Sequence, residues 1–145
     1  MNPAAVRPEA ALRERGLRAT RPRVAVLGAL TELGGHRSAE EVRVRIAGTA
    51  EPLPRSSVYG ILDALVRAGL VMTADAGPGV VLYEIADRWH HHFVCRICQG
   101  VTDVDCVVGT KPCLIPGLDA AVGTVDEAQV IFRGVCAPCA SAPPA

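Results

Sequence analysis

Aromatic residues are scarce in this sequence: one Trp, two Tyr and two Phe make up 3% of its 145 residues. Its cores must therefore be packed from Ala, Val, Leu and Ile, which suits helices and short strands. Long apolar runs are missing as well. No stretch approaches the roughly 18 residues that cross a bilayer, and the first 30 residues hold no apolar block of the signal-peptide kind. A cytoplasmic protein without a membrane partner is expected. Lysine is almost absent, since fourteen of the fifteen basic residues are Arg. Arg bonds bidentately to phosphates and guanine edges, although a biased genomic base composition enriches Arg, Ala and Pro just as well. Net charge is zero, which argues against a protein that simply coats nucleic acid. The charge is unevenly split, however: residues 1–84 carry eleven Arg against nine acids, and residues 85–145 carry four Lys or Arg against six acids.

A chain of this length can form two compact halves, small domains being common where something besides a core stabilises them. Thr20 and Pro22 mark a helix start, with the Thr hydroxyl as cap and Pro in the first turn, and Val26, Leu30 and Leu33 then share one face. Gly34-Gly35 ends that helix. Ser38 and Glu41 form a capping box that opens the next, with Ala39, Val42 and Ile46 as its buried stripe. From about Ser56 to Ala68, Val58, Ile61, Leu62 and Leu65 recur at helical spacing opposite Arg55, Tyr59, Asp63 and Arg67, and Gly69 is the stop. Leu70–Ala74 and Val80–Glu84 flank the turn-forming stretch Asp75–Gly79 and predict a hairpin.

Helices followed by a two-stranded wing predict a winged helix-turn-helix DNA-binding domain over residues 1–84. Beyond a hinge at 85–89, a small α/β dimerisation domain is predicted at 90–140, so the fold class is α+β. Its strands are expected at Phe93–Arg96, Val101–Cys106 and Glu127–Val135, with a helical turn at Gly117–Val122 and a disordered tail at 141–145.

Six Cys in a reducing compartment read as metal ligands or redox thiols rather than structural disulfides. Cys95 and Cys98 form one CxxC pair, and Cys136 and Cys139 form another. Two such knuckles supply the closed four-sulfur shell of structural zinc; the alternative is buried thiols or a redox dithiol. Just before Cys95 stands Trp89-His90-His91-His92. In an extended segment His90 and His92 point to one side and His91 and Cys95 to the other, so two sites could be built back to back; a solvated His run is the plainer alternative. His36, Glu84 and Asp103 are candidates to complete a nitrogen and oxygen shell suited to Fe(II) or Mn(II).

From about Leu12 to Cys139 the sequence resembles the ferric uptake regulator family. The resemblance is carried by Gly16-Leu-Arg-Ala-Thr-Arg-Pro-Arg23, His36-x-Ser-Ala-Glu-Glu41, Ser57-Val-Tyr59, Tyr83-Glu84, His90-x-His92-x-x-Cys95-x-x-Cys98 and Cys136-x-x-Cys139. It implies a homodimeric, metal-dependent transcriptional repressor that binds double-stranded DNA at an A·T-rich inverted repeat. The implied regulatory ligands are His36, Glu84, His90, His92 and Asp103, whose ion would clamp the halves into the DNA-competent arrangement. Cys95, Cys98, Cys136 and Cys139 match the structural zinc ligands, and Arg21, Arg23, Arg55, Ser57 and Tyr59 the DNA-contacting positions. Gly60 departs from the pattern, many members having Arg there, and Trp89 and Ala128 occupy positions where an auxiliary metal site would use polar ligands.

The run Asp103-Val-Asp-Cys106 followed by Cys113 resembles the actinobacterial, catalase-linked branch that responds to oxidants. Control of catalase-peroxidase and iron-homeostasis genes is implied, with Cys106 and Cys113 either a redox pair or ordinary small apolar residues. Zinc-, nickel- or manganese-responsive members share nearly the same ligands. An enzyme is not expected, because a four-sulfur shell leaves no open coordination position and no βαβ unit frames the CxxC pairs as in a thiol redox protein. A zinc-stabilised protein-interaction module without DNA binding is the remaining rival.

Overall fold

The computed structural model describes residues 7–49, 51–114 and 123–143. The chain divides into two compact units, residues 1–87 and 88–145. The boundary falls inside the 85–89 segment, and the first unit runs past residue 84 because β2 continues to Ile85 and the Ala86 N–H bonds to the Leu70 carbonyl.

The first unit comprises α1 (Pro8–Glu14), α2 (Arg21–Leu33), α3 (Ala39–Ala47) and α4 (Arg55–Arg67), followed by the antiparallel hairpin β1 (Val71–Gly77) and β2 (Val80–Ile85). Leu12, Val26, Leu30, Val42, Val58, Leu62 and Leu65 are fully buried and form one core from all four helices. The capping box of α3 is complete: the Glu41 N–H bonds to Ser38 Oγ (3.1 Å) and the Ser38 N–H to Glu41 Oε2 (2.8 Å). Gly34 and Gly35, both at φ +61°, take the left-handed backbone that ends α2. Thr20 sits at the N-cap of α2, but its hydroxyl makes no capping bond. Pro22 has no N–H, which removes one of the amides such a hydroxyl serves. The hairpin turn is tighter than expected, because β1 runs on through Asp75 and Ala76 to Gly77 with a bulge, and the Gly77 N–H bonds to Asp75 Oδ1.

The second unit is a three-stranded sheet in the order β4-β3-β5, with β3 (His90–Cys95) central, β4 (Val101–Asp105) antiparallel to it and β5 (Ile131–Gly134) parallel to it. A one-turn helix, α5 (Ala137–Ser141), follows. All three strands differ from the sequence expectation at one or both ends, with β3 closing at Cys95 rather than Arg96 and β5 at Gly134 rather than Val135. β3 starts at His90 rather than Phe93, because His90–His92 pair with Asp103–Asp105. β4 stops before Cys106, whose sulfur instead accepts the Gly109 N–H. β5 starts at Ile131 rather than Glu127, because the Val130 N–H turns to a side chain, His91 Nδ1, instead of to a strand. Gly117–Val122 lies outside the described residues, as does the end of the tail.

Candidate metal centres and nucleic-acid interface

Cys95 ends β3, and Cys98 follows in a turn closed by Gln99, whose N–H bonds to the Cys95 carbonyl (3.0 Å). A side chain at Gly100 would place its Cβ 3.2 Å from Cys98 Sγ, a tight approach from which the sulfur would have to give by a few tenths of an ångström. Cys136 is the N-cap of α5 and Cys139 lies within its single turn, which brings both thiols to one side. The four Sγ atoms lie within 4.8 Å of one another, with Cys98 and Cys136 at 3.8 Å. Zinc–sulfur bonds of about 2.3 Å at tetrahedral angles separate sulfurs by about 3.8 Å, so the cluster fits a zinc shell. The Cys136 N–H bonds to Cys95 Sγ at 3.4 Å and holds that thiol down to about 6, whereas hydrogen bonding with Cys136 pushes Cys139 up to about 12. A tightly packed thiol set in which only some members ionise readily is a set that a divalent cation would stabilise.

Each unit also holds imidazoles against carboxylates. In the first, the Arg37 and Tyr83 backbones exchange hydrogen bonds (2.7 and 2.8 Å), tying the loop after α2 to β2. That tie sets His36 Nε2 at 3.1 Å from Oε2 of the buried Glu84. In the second, His92 and Asp103 are opposite each other across β3 and β4, and His90 Nε2 lies 3.2 Å from Asp103 Oδ1. The buried rings of His90 and His92 meet edge-on at 4.8 Å. His90 Nδ1 faces the Arg88 carbonyl at 3.0 Å and must donate to it, so in the neutral ring the Nε2 lone pair points at Asp103. Two acceptors that close call for a cation or a proton between them. Arg88 pairs with Asp105 and approaches Asp103 (3.8 Å), orienting the carboxylates.

Strand alternation puts His91 on the other face of β3 and identifies no partner for it. In the structure it lies with Cys106 and Cys113, all three offering ligand atoms within 4.8 Å of one another. Strand alternation signalled the face; the 22-residue gap to Cys113 hid the contact.

The candidate DNA contacts lie on the first unit. Arg55 and Tyr59 are exposed near the start of α4, the guanidinium 5.4 Å from the ring centroid. Arg21 is exposed at the first turn of α2, while Arg23 bonds to the Arg18 carbonyl (3.2 Å). Arg23 and Ser57 line one open groove with Arg18, Thr20 and Gly60. Nothing lies within 4 Å of where a Gly60 Cβ would stand, so the floor of that groove is bare.

Residues 14–107 match the sequence model of the ferric uptake regulator family. The transcriptional regulator FurA of Mycobacterium tuberculosis is 42% identical over 130 residues, covering 88% of this chain and 86% of its own length. Ferric uptake regulation protein 2 of Mycolicibacterium fortuitum is 42% identical over 139 residues, covering 91% of this chain and 92% of its own. Among solved structures, the ferric uptake regulator of Pseudomonas aeruginosa with manganese is 25% identical, with a TM-score of 0.68 over 90% of this chain and 98% of that one.

Proposed function

The chain belongs to the ferric uptake regulator family, and from that premise we propose that it is a homodimeric, Fe(II)- or Mn(II)-dependent repressor of catalase-peroxidase and iron-homeostasis genes. Its relatives are transcriptional regulators rather than enzymes, and the coarser description, a metal-responsive regulator that binds DNA, holds for this chain. The reading is carried by one observation: each unit holds its own share of an imidazole and carboxylate shell, His36 with Glu84 at 3.1 Å and His90 with Asp103 at 3.2 Å beside His92. An exchangeable ion on such a shell would select the DNA-binding arrangement.

Nitrogen and oxygen donors hold Fe(II) or Mn(II) weakly enough to exchange, whereas the thiolates of Cys95, Cys98, Cys136 and Cys139 retain zinc. For the dimer, Phe93, Val104, Phe132 and Val135 line one apolar hollow on the second unit, and Phe132 and Val135 are about half exposed, a face that a second copy would cover. On DNA, α4 enters the major groove of an A·T-rich inverted repeat. Tyr59 meets thymine methyls beside Ser57, and Arg55, Arg21 and Arg23 neutralise phosphates.

Gel shifts of oxygen-free protein on an inverted repeat and on random DNA test this directly. Metal should raise specific affinity, and His90→Ala should abolish that dependence while keeping zinc. Arg23→Ala should lower the salt slope by about one on every sequence, and Tyr59→Ala should erode discrimination. Peroxide should abolish binding by the iron form and add oxygen to His36, His90 or His92, leaving the manganese form intact. Specific affinity independent of added metal would sink the proposal.

A further inference from the structure

We infer that Cys106 and Cys113 form a hydroperoxide-reactive dithiol, with Cys106 as the attacking thiolate, Cys113 as the resolving thiol and His91 as the residue that positions Cys113. All three residues lie in the second unit. His91 Nε2 lies 3.2 Å from Cys113 Sγ, while its Nδ1 accepts the Val130 N–H at 3.2 Å. An Nδ1 that accepts a proton donor leaves the ring's own proton on Nε2. His91 therefore donates to the Cys113 sulfur and has no lone pair to offer an ion there. Its neighbour His90 has the reverse arrangement, with Nδ1 against the Arg88 carbonyl. Adjacent imidazoles on one strand are thus set for different tasks, and the two sulfurs are left to each other's chemistry.

Cys106 Sγ accepts the Gly109 N–H at 3.4 Å, and this bond favours its thiolate, whereas burial pushes the Cys113 thiol up. His91 N–H donates to the Cys113 sulfur, and the Cys113 S–H, which has the Ala128 carbonyl at 3.5 Å, also lies within reach of the Cys106 sulfur. The Trp89 indole nitrogen, buried without a hydrogen-bond partner among the described residues, favours anionic Cys113 as that thiol loses its proton. Cys106 and Cys113 are each only half-buried, and the loop between them carries exposed Val107 and Val108.

The chemistry balances with a hydroperoxide as the oxidant. The Cys106 thiolate attacks one peroxide oxygen, the O–O bond breaks, and the departing alkoxide or hydroxide takes up a proton, leaving Cys106 as a sulfenic acid. Cys113 sulfur then displaces the hydroxyl group, which leaves as water with the Cys113 proton. Two thiols lose two electrons in all, and one hydroperoxide becomes an alcohol (or water) plus water.

Full-length reduced protein holding zinc but no iron is treated with hydrogen peroxide, with and without a sulfenic-acid trap, and digested for mass spectrometry alongside a zinc assay. The expected product is a Cys106–Cys113 linkage with loss of two hydrogens and full zinc retained. Cys113→Ser should give a trapped sulfenic acid at Cys106, while Cys106→Ser should give little at Cys113. Replacing His91 by Gln should slow closure of the disulfide without slowing formation of the sulfenic acid. The inference is overturned by a second zinc per chain that leaves with either Ser variant, by trapping mainly at Cys113, or by oxidation of Cys95, Cys98, Cys136 and Cys139 while Cys106 and Cys113 stay reduced. Every readout is chemical, so failure of DNA binding would leave the result standing.

Discussion

The two units solve the same stability problem with different materials. The first buries Leu and Val from four helices, eight of them at 1% exposure or less, and the hydrophobic effect alone can hold such a core. In the second, the buried residues among those described are His90, His91, His92, Val94 and Cys95. Three imidazoles and a thiol gain little by leaving water unless something binds them. One unit is therefore a fold held by apolar side chains, and the other a fold whose interior consists largely of residues able to ligate a metal.

The sharpest way to break this contrast is to remove zinc. Structural zinc contributes on the order of 10–16 kcal/mol in small domains, so a strong chelator should strip amide-exchange protection from β3, β4 and β5 while α2, α3 and α4 keep theirs. Unchanged protection in the sheet after complete zinc loss would show that its core suffices. The converse perturbation is Leu62→Ala, which should cost about 2–5 kcal/mol in the first unit. Denaturation followed by the helix signal should record that loss, with zinc content unaffected.

A smaller effect comes from the α3 cap. Ser38→Ala should cost about 1 kcal/mol, measurable in the same denaturation series. The backbone N–H of Ser38 holds Glu41 below its ordinary value, so the cap's contribution is complete above that value and fades as pH falls below it. The difference between wild type and Glu41→Gln should accordingly shrink in acid; a constant gap down to the lowest pH would argue against the cap. Smallest of all, Gly60→Ala should stabilise α4 by roughly 0.5–1 kcal/mol, because the added Cβ meets nothing and the helix loses a flexible position. A lower melting temperature would mean that the bare groove matters to the fold.

The same contrast explains what could be read in advance. Helical periodicity marked Val58, Leu62 and Leu65 as core because amphipathic burial is a local property, and the Ser38 capping box spans only three residues. The clustering of Cys95, Cys98, Cys136 and Cys139 was legible because CxxC spacing reports the reach of two thiols to one ion. Strand bounds in the second unit were not, since β3 is defined by partners on β4 and β5 far along the chain. Alternation ran on to Glu127, but pairing stops at Ile131 once the Val130 N–H is taken by His91. α5 escaped notice because five residues carry too little pattern, and Thr20 misled because Pro22 removes part of what a cap would bind.

The alternation of β3 also acts as insulation. His90 and His92 face one way and His91 and Cys95 the other, so a redox-active ion and oxidisable sulfurs can share six residues of chain with a peptide plane between them. Thiols on the face of His90 and His92 would compete for an exchangeable ion held by those imidazoles. Deleting one residue from this strand would move every following side chain to the opposite face. The partition therefore depends on the count of residues between His90 and Cys95 as much as on their identities.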